Sequence, residues 1–293
     1  MGRFALQESG RFALGLAGAL LMAAAVSALS VAGAGHGLAA FLSATAGRLG
    51  GFARLDFGTS AISGLGAIQE LAARGPVTLT LVLIGICIAV PVGVPLGLLF
   101  GAGPMRRATA PLIQIVAAAP VFCAGLALAY VGQRLLHLPA ANGGPVLAGA
   151  LLHPGGAAFS AVLFPALTVG LAGAGAIQLA LRRAGAEAQG EPFRIGLRRL
   201  GLSTLEIERV YVAPLVFAGL FASLGEVMLA LLSASVVAEW VFHCPGIADL
   251  FVKSVALGDW NMVGLILFVF ALAVQISDVL GRFAVKAITQ AAP

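Results

Sequence analysis

Long apolar runs recur along the chain and are separated by short segments that hold most of the charged side chains. Each run is about 20 residues or longer, which is the length an α-helix needs to cross the hydrocarbon core of a bilayer. We therefore predict six membrane-spanning helices, at about 12–33, 77–101, 111–135, 158–181, 211–238 and 261–281. The first run follows Arg3 and Arg11 as a signal peptide would, but it is longer than a usual signal-peptide core. We predict that it is a retained helix.

Composition supports a membrane protein. Of the 293 residues, 60% are hydrophobic and 10% are charged, and the mean hydropathy is +1.04. A soluble domain carries about 25% charged residues, so an ordinary soluble enzyme, a disordered chain and a disulfide-rich secreted module are excluded. The predicted fold class is an all-α membrane protein that forms a single domain over residues 1–293.

The basic residues predict the orientation of the chain. With both termini in the cytoplasm, the inside segments hold twelve of the 17 Lys and Arg residues and the outside segments hold five. An excess of Lys and Arg on the cytoplasmic side is the rule for membrane proteins. The net charge of +5 is therefore explained by orientation and by one cytoplasmic loop, and no nucleic-acid partner is expected.

That cytoplasmic loop, residues 182–210, contains ten charged residues. A short amphipathic segment ends at Gly201, which suits the left-handed position after a helix. Ser203 and Glu206 have the spacing of a capping box, so a second helix is predicted to begin there and to bend near Pro214. This helix–turn–helix could fit into a groove on another protein. The alternative is a basic loop held against anionic lipid.

The loop resembles a known motif. Gly201-Leu202-Ser203 with Pro214 is similar to the EAA loop of bacterial ABC importer permeases, although Ile195-Gly196-Leu197 stand where Glu-Ala-Ala is expected. Other segments resemble the dipeptide, oligopeptide and nickel branch of that family: Asp56–Ser60, Pro76–Leu79, Pro91–Gly97, Pro165–Thr168, Glu239–Gly246 with Gly258–Trp260, and Asp278. The resemblance covers about residues 55–285 and implies the type I ABC importer permease fold.

The resemblance also implies a function and a set of partners. The chain would form half of a translocation pathway for peptides or a similar small solute, such as nickel, a metal chelate or an opine. A second permease, identical or related, would complete the pathway. Two ABC ATPase subunits would bind ATP and Mg, and a periplasmic or lipid-anchored binding protein would deliver the solute. The chain would lie in the bacterial inner membrane, with no cofactor and no enzymatic activity of its own.

Candidate residues follow from these interpretations. In the coupling loop, we expect Arg194, Arg198, Arg199 and Glu206 to flank the turn formed by Gly201, with Ser203 and Pro214 shaping it. Outside, the acids are expected to form a docking surface for the binding protein, and Pro245-Gly246 is expected to make a tight turn before a short helix over the mouth. These acids are Asp56, Glu70, Glu239, Asp249 and Asp259.

Polar residues inside the predicted spans are few. Glu226 lies in the middle of the predicted fifth span, where a carboxylate marks either a pathway or an internal hydrogen-bonding partner. Asp278 with Arg282 four residues later predicts a structural ion pair. Hydrogen bonding between helices is the expected role of Gln114, Gln178 and Gln275.

The sequence does not favour two other classes of membrane protein, nor a metal site. An ion-coupled secondary transporter needs more intramembrane ionisable residues or two matching broken helices. A membrane-embedded enzyme needs a His, Asp or Glu cluster within the spans, and the sequence offers none at a recognisable spacing. His137, His153 and His243 match no metal motif, even with Cys244 beside the last. No metal site is expected.

Overall fold

A computed structural model describes residues 2–29, 38–54, 56–61, 63–99, 121–135, 157–189 and 193–291. These parts of the chain are almost entirely helical. The helices are α1 (Gly2–Ser27), α2 (Leu38–Ala53), α3 (Ala67–Leu99), α4 (Val121–Tyr130), α5 (Ala157–Gln189), α6 (Phe193–Arg199), α7 (Thr204–Glu206), α8 (Ala213–Ala222), α9 (Leu224–Phe242), α10 (Ile247–Leu257) and α11 (Trp260–Ala291).

Within the described residues, five helices are long and apolar enough to cross a membrane. They are Leu6–Ser27, Ala67–Leu98, Val162–Ala188, Leu224–Phe242 and Trp260–Gln290, which correspond to the first, second, fourth, fifth and sixth predicted spans. The third predicted span, 111–135, is described only from residue 121. There α4 is followed by a π-helical turn, Val131–Leu135. Gln114, His137 and His153 lie outside the described residues.

The fifth predicted span, 211–238, is not one continuous helix. It divides into α8 and α9 at Ser223, whose backbone has φ −100° and ψ 12°. Sharp helix breaks occur where small residues such as Ser and Gly lie together, and Ser223 is followed by Gly225 two positions later. The sequence prediction of a single helix with a bend at Pro214 therefore missed this second interruption.

Glycine contacts set the closest helix packing. A Cβ atom at Gly93 of α3 would lie 2.7 Å from the carbonyl oxygen of Ala174 in α5, so only glycine permits this approach. Close packing through small residues is typical of helices in membranes. On the other side of the bundle, α1 runs antiparallel to α11, since Gly15 meets Gln275 and Ser27 meets Gly264.

The helix directions give the bundle two distinct ends. α3, α5 and α11 all run from one end to the other, and α9 runs back. We call the end that holds residues 56–66 and α10 the cap end. The end where α5 and α11 finish, which also holds α6 and α7, is the basic end. The largest buried cluster lies between α3, α5, α8 and α9, and includes Val82, Leu181, Val216 and Leu231.

Candidate functional site

A tight turn follows α6 at the basic end. Gly201 has φ +86°, a left-handed conformation that side chains other than hydrogen disfavour. The Leu202 N–H donates to the Leu197 carbonyl at 3.3 Å, and the Gly201 N–H donates to the Arg198 carbonyl at 3.1 Å. This pair of hydrogen bonds is a Schellman motif. The position predicted for Gly201 after the helix is confirmed.

The next helix begins with the predicted capping box. The Glu206 N–H donates to the Ser203 hydroxyl oxygen at 3.3 Å, and the Ser203 N–H donates to the Glu206 carboxylate at 2.9 Å. The Ser203 hydroxyl also donates to that carboxylate at 2.7 Å. The two hydrogen bonds that the carboxylate accepts, from the Ser203 hydroxyl and from the Ser203 N–H, hold the pKa of the Glu206 carboxyl below the ordinary value of 4.5. Glu206 is therefore ionised at neutral pH and is already used in shaping the turn.

A π-helical segment, Ile207–Val212, connects α7 to α8, and Pro214 lies in the first turn of α8. Proline has no N–H to donate and its ring crowds the preceding turn, so the chain widens before it. The predicted bend near Pro214 thus takes the form of a widened turn. The buried Ile207 side chain, 1% exposed, holds this segment against the bundle.

The turn divides its side chains between the bundle and the surface. Leu197 and Leu202 pack against the main buried cluster. Ile195 and Leu200 point outward and are 60% and 79% exposed. Arg198 and Arg199 are also exposed, and the side chain of Arg194 lies outside the described residues. The turn at Gly201 thus follows an exposed surface of mixed apolar and basic side chains, and its inner side is anchored on the bundle.

At the cap end, the carboxylate of Glu239 is fully buried, with 0% exposure. It accepts hydrogen bonds from the Thr78 hydroxyl at 2.6 Å and from the Asp249 N–H at 2.9 Å. The Thr78 oxygen in turn accepts from the Ile247 N–H at 2.8 Å. Glu239 and Thr78 together satisfy free N–H groups in the first turn of α10, where a negative charge is favourable.

The predicted turn at Pro245-Gly246 leads directly into α10, so the short helix expected after it is present. Packing also requires glycine at position 246, because a Cβ there would collide with the Glu239 carboxylate. His243, which precedes the turn, adopts a left-handed conformation with φ 58°. Its ring Nδ1 lies 3.0 Å from the Trp240 carbonyl oxygen.

Most of the external acids are buried in the same region. Asp259 accepts from the Ser60 hydroxyl and from the Ala61 N–H, each at 2.8 Å, and is 2% exposed. Asp249 pairs with Lys253 at 2.6 Å and with Arg74 at 3.5 Å. These contacts, with that of Glu239, tie residues 60–78 to residues 239–259.

Glu239 and Asp259 therefore do not belong to the predicted docking surface, since both are buried. Glu239 and Asp259 are inside the protein because their oxygens are needed by backbone N–H groups, and they offer no surface to another protein. Asp56 is exposed, and its carboxylate accepts from the Gly58 N–H at 3.0 Å. A docking contribution from Asp56 and a gating role for the turn at 245–246 stay predictions.

The prediction that Glu226 lies in the middle of a span is wrong, because the chain divides at Ser223 and Glu226 is the third residue of α9. The structure also gives it a partner. The Arg183 guanidinium of α5 donates to its carboxylate at 3.0 Å, and the two side chains are 55% and 65% exposed. The sequence alone left open whether this carboxylate has a partner, and in the structure Arg183 is its partner. Sequence analysis missed Arg183 because the two residues are 43 positions apart. The predicted pathway role stays a prediction.

The ion pair predicted between Asp278 and Arg282 is present and is extended by a third residue. Arg282 also binds Glu8 of α1, a carboxylate that is 3% exposed. Gln178 and Gln275 each keep one buried side-chain atom without a hydrogen-bond partner, so the predicted bonding between helices is not complete for either. The ion-paired group of Glu8, Asp278 and Arg282 joins α1 to α11.

The described residues hold no group of three His, Cys, Asp or Glu side chains that could bind a metal ion. Cys244 is buried beside the turn at 245–246. Burial raises the pKa of its thiol to about 12, and the neighbouring carboxyl groups of Glu239 and Asp249 act in the same direction. The thiol is therefore protonated and packs as a small apolar group.

Two comparisons with known proteins identify relatives. Residues 89–292 match the family described as "Binding-protein-dependent transport system inner membrane component". The chain is also similar to the "Probable D,D-dipeptide transport system permease protein DdpB" of Escherichia coli (strain K12). The two are 29% identical over 229 residues, which cover 71% of this chain and 67% of the relative.

Proposed function

Since the chain belongs to the binding-protein-dependent transport system inner membrane component family, we propose that it forms half of the translocation pathway of an ATP-driven peptide importer. Membership makes it the permease component of an ABC importer, a multi-pass membrane protein. The peptide cargo is supported by the similarity to a permease named for D,D-dipeptide transport. Nickel, a metal chelate or an opine is the alternative cargo.

The observation that carries the coupling function is the capped turn at the basic end. Gly201 and the capping box fix its shape through local hydrogen bonds, while Leu197 and Leu202 anchor it on the bundle. Leu200, Arg198 and Arg199 face outward. We propose that residues 193–209 fit into an ABC ATPase subunit, with the arginines and the backbone around Gly201 as polar contacts. A rigid turn of this kind transmits movement as a unit.

The other partners follow from an importer with two membrane halves. A second permease, identical or related, would lie beside this chain, and a periplasmic or lipid-anchored binding protein would bind over the cap end. ATP and Mg would be held by two ATPase subunits in the cytoplasm. In this arrangement the basic end and both termini are cytoplasmic, and Glu226 faces the pathway.

An ion-coupled secondary transporter is not favoured. Such a protein binds its coupling ion through unpaired intramembrane groups. Glu226 is paired with Arg183 and Asp278 with Arg282. The other described carboxylates in helices that can span the membrane lie toward the helix ends: Glu8, Glu70, Glu187 and Glu239.

The test is a charge reversal on the turn. We expect the Arg198→Glu/Arg199→Glu variant to reach the membrane but to lose the ATPase subunit on purification, together with substrate-stimulated ATP hydrolysis. The control is Arg198→Lys/Arg199→Lys, which keeps both charges and should retain most of the activity. Full stimulated hydrolysis in the reversed variant would refute the coupling role.

A further inference from the structure

Leu200 is the most exposed large apolar side chain among the described residues, at 79%. It lies directly before Gly201, outside the described helices that are long enough to span a membrane. Its surroundings are open, since a Cβ atom at Gly196 or at Gly201 would meet no other atom within 4 Å. The leucine therefore projects from the surface of the basic end, beyond the spans that lipid covers.

The backbone holds Leu200 in this position. Its N–H donates to the Gly196 carbonyl oxygen at 3.1 Å, and Leu197 and Leu202 on either side pack against the main buried cluster. Since the backbone is already fixed, little conformational entropy is lost there when a partner binds. An exposed leucine is unfavourable in water, so covering it with an apolar pocket stabilises a complex.

The same segment carries an excess of positive charge. Arg198, Arg199 and Arg209 are exposed, and none of the three has an ion-pair partner among the described residues. The exposed carboxylate of Glu206 accepts from Ser203 instead. The arginines are therefore open to carboxylates that another molecule supplies.

A protein partner fits this surface better than lipid. A helix that lies on anionic lipid separates an apolar face, which enters the bilayer, from a basic face. In α6 the apolar Leu197 is directed to the bundle, and Ile195 and Leu200 share the outer surface with the arginines. Protein interfaces combine an apolar core with a polar rim and are enriched in Arg.

We propose that the ATPase subunit receives the turn in an acidic groove, where an apolar pocket takes Leu200 and carboxylates beside it pair with Arg198 and Arg199. This inference rests on the proposed function and specifies the chemistry of the partner surface. Opposite charges across an interface speed association and reject partners of the wrong charge. An ATPase with a basic groove is therefore excluded from this permease.

The first test uses the scarcity of lysine. The only lysines of the chain are Lys253 and Lys286, and a carbodiimide joins lysine amines to carboxylates in direct contact but does not react with arginine. In the assembled importer, Arg198→Lys/Arg199→Lys should form an amide bond to an Asp or Glu of the ATPase subunit, located by mass spectrometry. The native assembly, treated in the same way, should lack this crosslink.

The second test measures the affinity of the ATPase subunit for the permease pair in nanodiscs of phosphatidylcholine. The affinity should fall about tenfold when KCl is raised from about 50 to about 200 mM, because salt screens the charge pairs. Arg198→Gln/Arg199→Gln should remove most of this dependence. Leu200→Ala should weaken binding about tenfold at either concentration. The matched control Leu257→Ala, 67% exposed at the cap end, should bind like the native protein.

The outcomes separate this inference from the proposed function. If the lysine variant gives no crosslink to a carboxylate while a photoactivatable crosslinker on Leu200→Cys attaches to the ATPase subunit, the acidic groove is refuted and the coupling role stands. An affinity that does not depend on salt, or that Leu200→Ala leaves unchanged, would also overturn the inference. So would binding that is lost in phosphatidylcholine and restored by anionic phosphatidylglycerol, since lipid would then be the partner of the arginines. If no crosslink of either kind joins the turn to the ATPase subunit, the proposed function itself fails.

Discussion

The two ends of the bundle are built in different ways. At the basic end, the turn around Gly201 is held by hydrogen bonds between residues three to five positions apart. At the cap end, Thr78 binds Glu239 across 161 positions and Ser60 binds Asp259 across 199. The first region is a local motif with exposed side chains, and the second is a buried network that joins distant parts of the chain.

This difference indicates different mechanical roles. A local motif keeps its shape when the surrounding helices move, so it suits a contact that must be carried as a unit by another protein. The buried network can open only if several long-range hydrogen bonds are lost together, because each unpaired buried group is unfavourable.

The largest expected effect concerns Cys244 at the cap end. Since its thiol has a pKa of about 12 rather than the ordinary 9.0, its thiolate fraction at pH 8 should be about a thousandfold smaller than that of an ordinary cysteine. In a variant with Cys87 and Cys123 replaced by Ser, maleimide labelling at pH 8 should be negligible until the protein is unfolded in detergent. Rapid labelling of the folded protein would show that the cap end is open.

Glu239→Ala should be the most destabilising substitution in the cap network. It removes the acceptor for Thr78 and for the Asp249 N–H, so we expect a loss of about 3 kcal/mol. The melting temperature of the purified protein should fall by about 5–10 °C. The control Glu187→Gln, at an exposed position on α5, should melt like the native protein. A normal melting temperature for Glu239→Ala would contradict the role of the buried carboxylate.

At the basic end, two glycines provide a matched pair. Gly201→Ala places a side chain at φ +86°, which costs about 1 kcal/mol and should reduce coupled transport severalfold. Gly196→Ala lies within α6, has open space around it and should favour the helix. We expect normal transport and a normal melting temperature for the second variant. Equal transport by both variants would mean that the shape of the turn is unimportant.

The smallest effect is expected from the capping box. The lowered pKa of Glu206 means that its contribution to the turn is complete above the unfolded value of 4.5 and is lost as pH falls through the lower folded value. Amide exchange at residues 204–209 should therefore be constant, after correction for intrinsic rates, between pH 8 and pH 5. Ser203→Ala should speed this exchange about fivefold at pH 7. Unchanged exchange would show that the capping box does not stabilise residues 204–209.

The contrast also explains what the sequence could predict. The turn at Gly201, the capping box at Ser203 and Glu206, and the ion pair of Asp278 with Arg282 depend on short spacings, which are visible in the sequence. The burial of Glu239 and Asp259 depends on hydrogen-bond donors from distant segments. These are the Thr78 hydroxyl for Glu239, and the Ser60 hydroxyl and the Ala61 N–H for Asp259. The contact of Arg183 was likewise not visible in the sequence, because its partner Glu226 lies on another helix. Length and hydropathy located the five spans found in the described residues, but they did not show the break at Ser223.

We propose that the turn at the basic end, rather than the cap end, contacts the ATPase. Leu200 and Leu257 are matched for a direct test, because they are 79% and 67% exposed at opposite ends. Each is changed to Cys in a variant with Cys87 and Cys123 replaced by Ser, and the assembled importer is treated with a short photoactivatable crosslinker. We expect a crosslink to the ATP-hydrolysing subunit from Leu200→Cys and none from Leu257→Cys. A crosslink to that subunit from Leu257→Cys alone would contradict it.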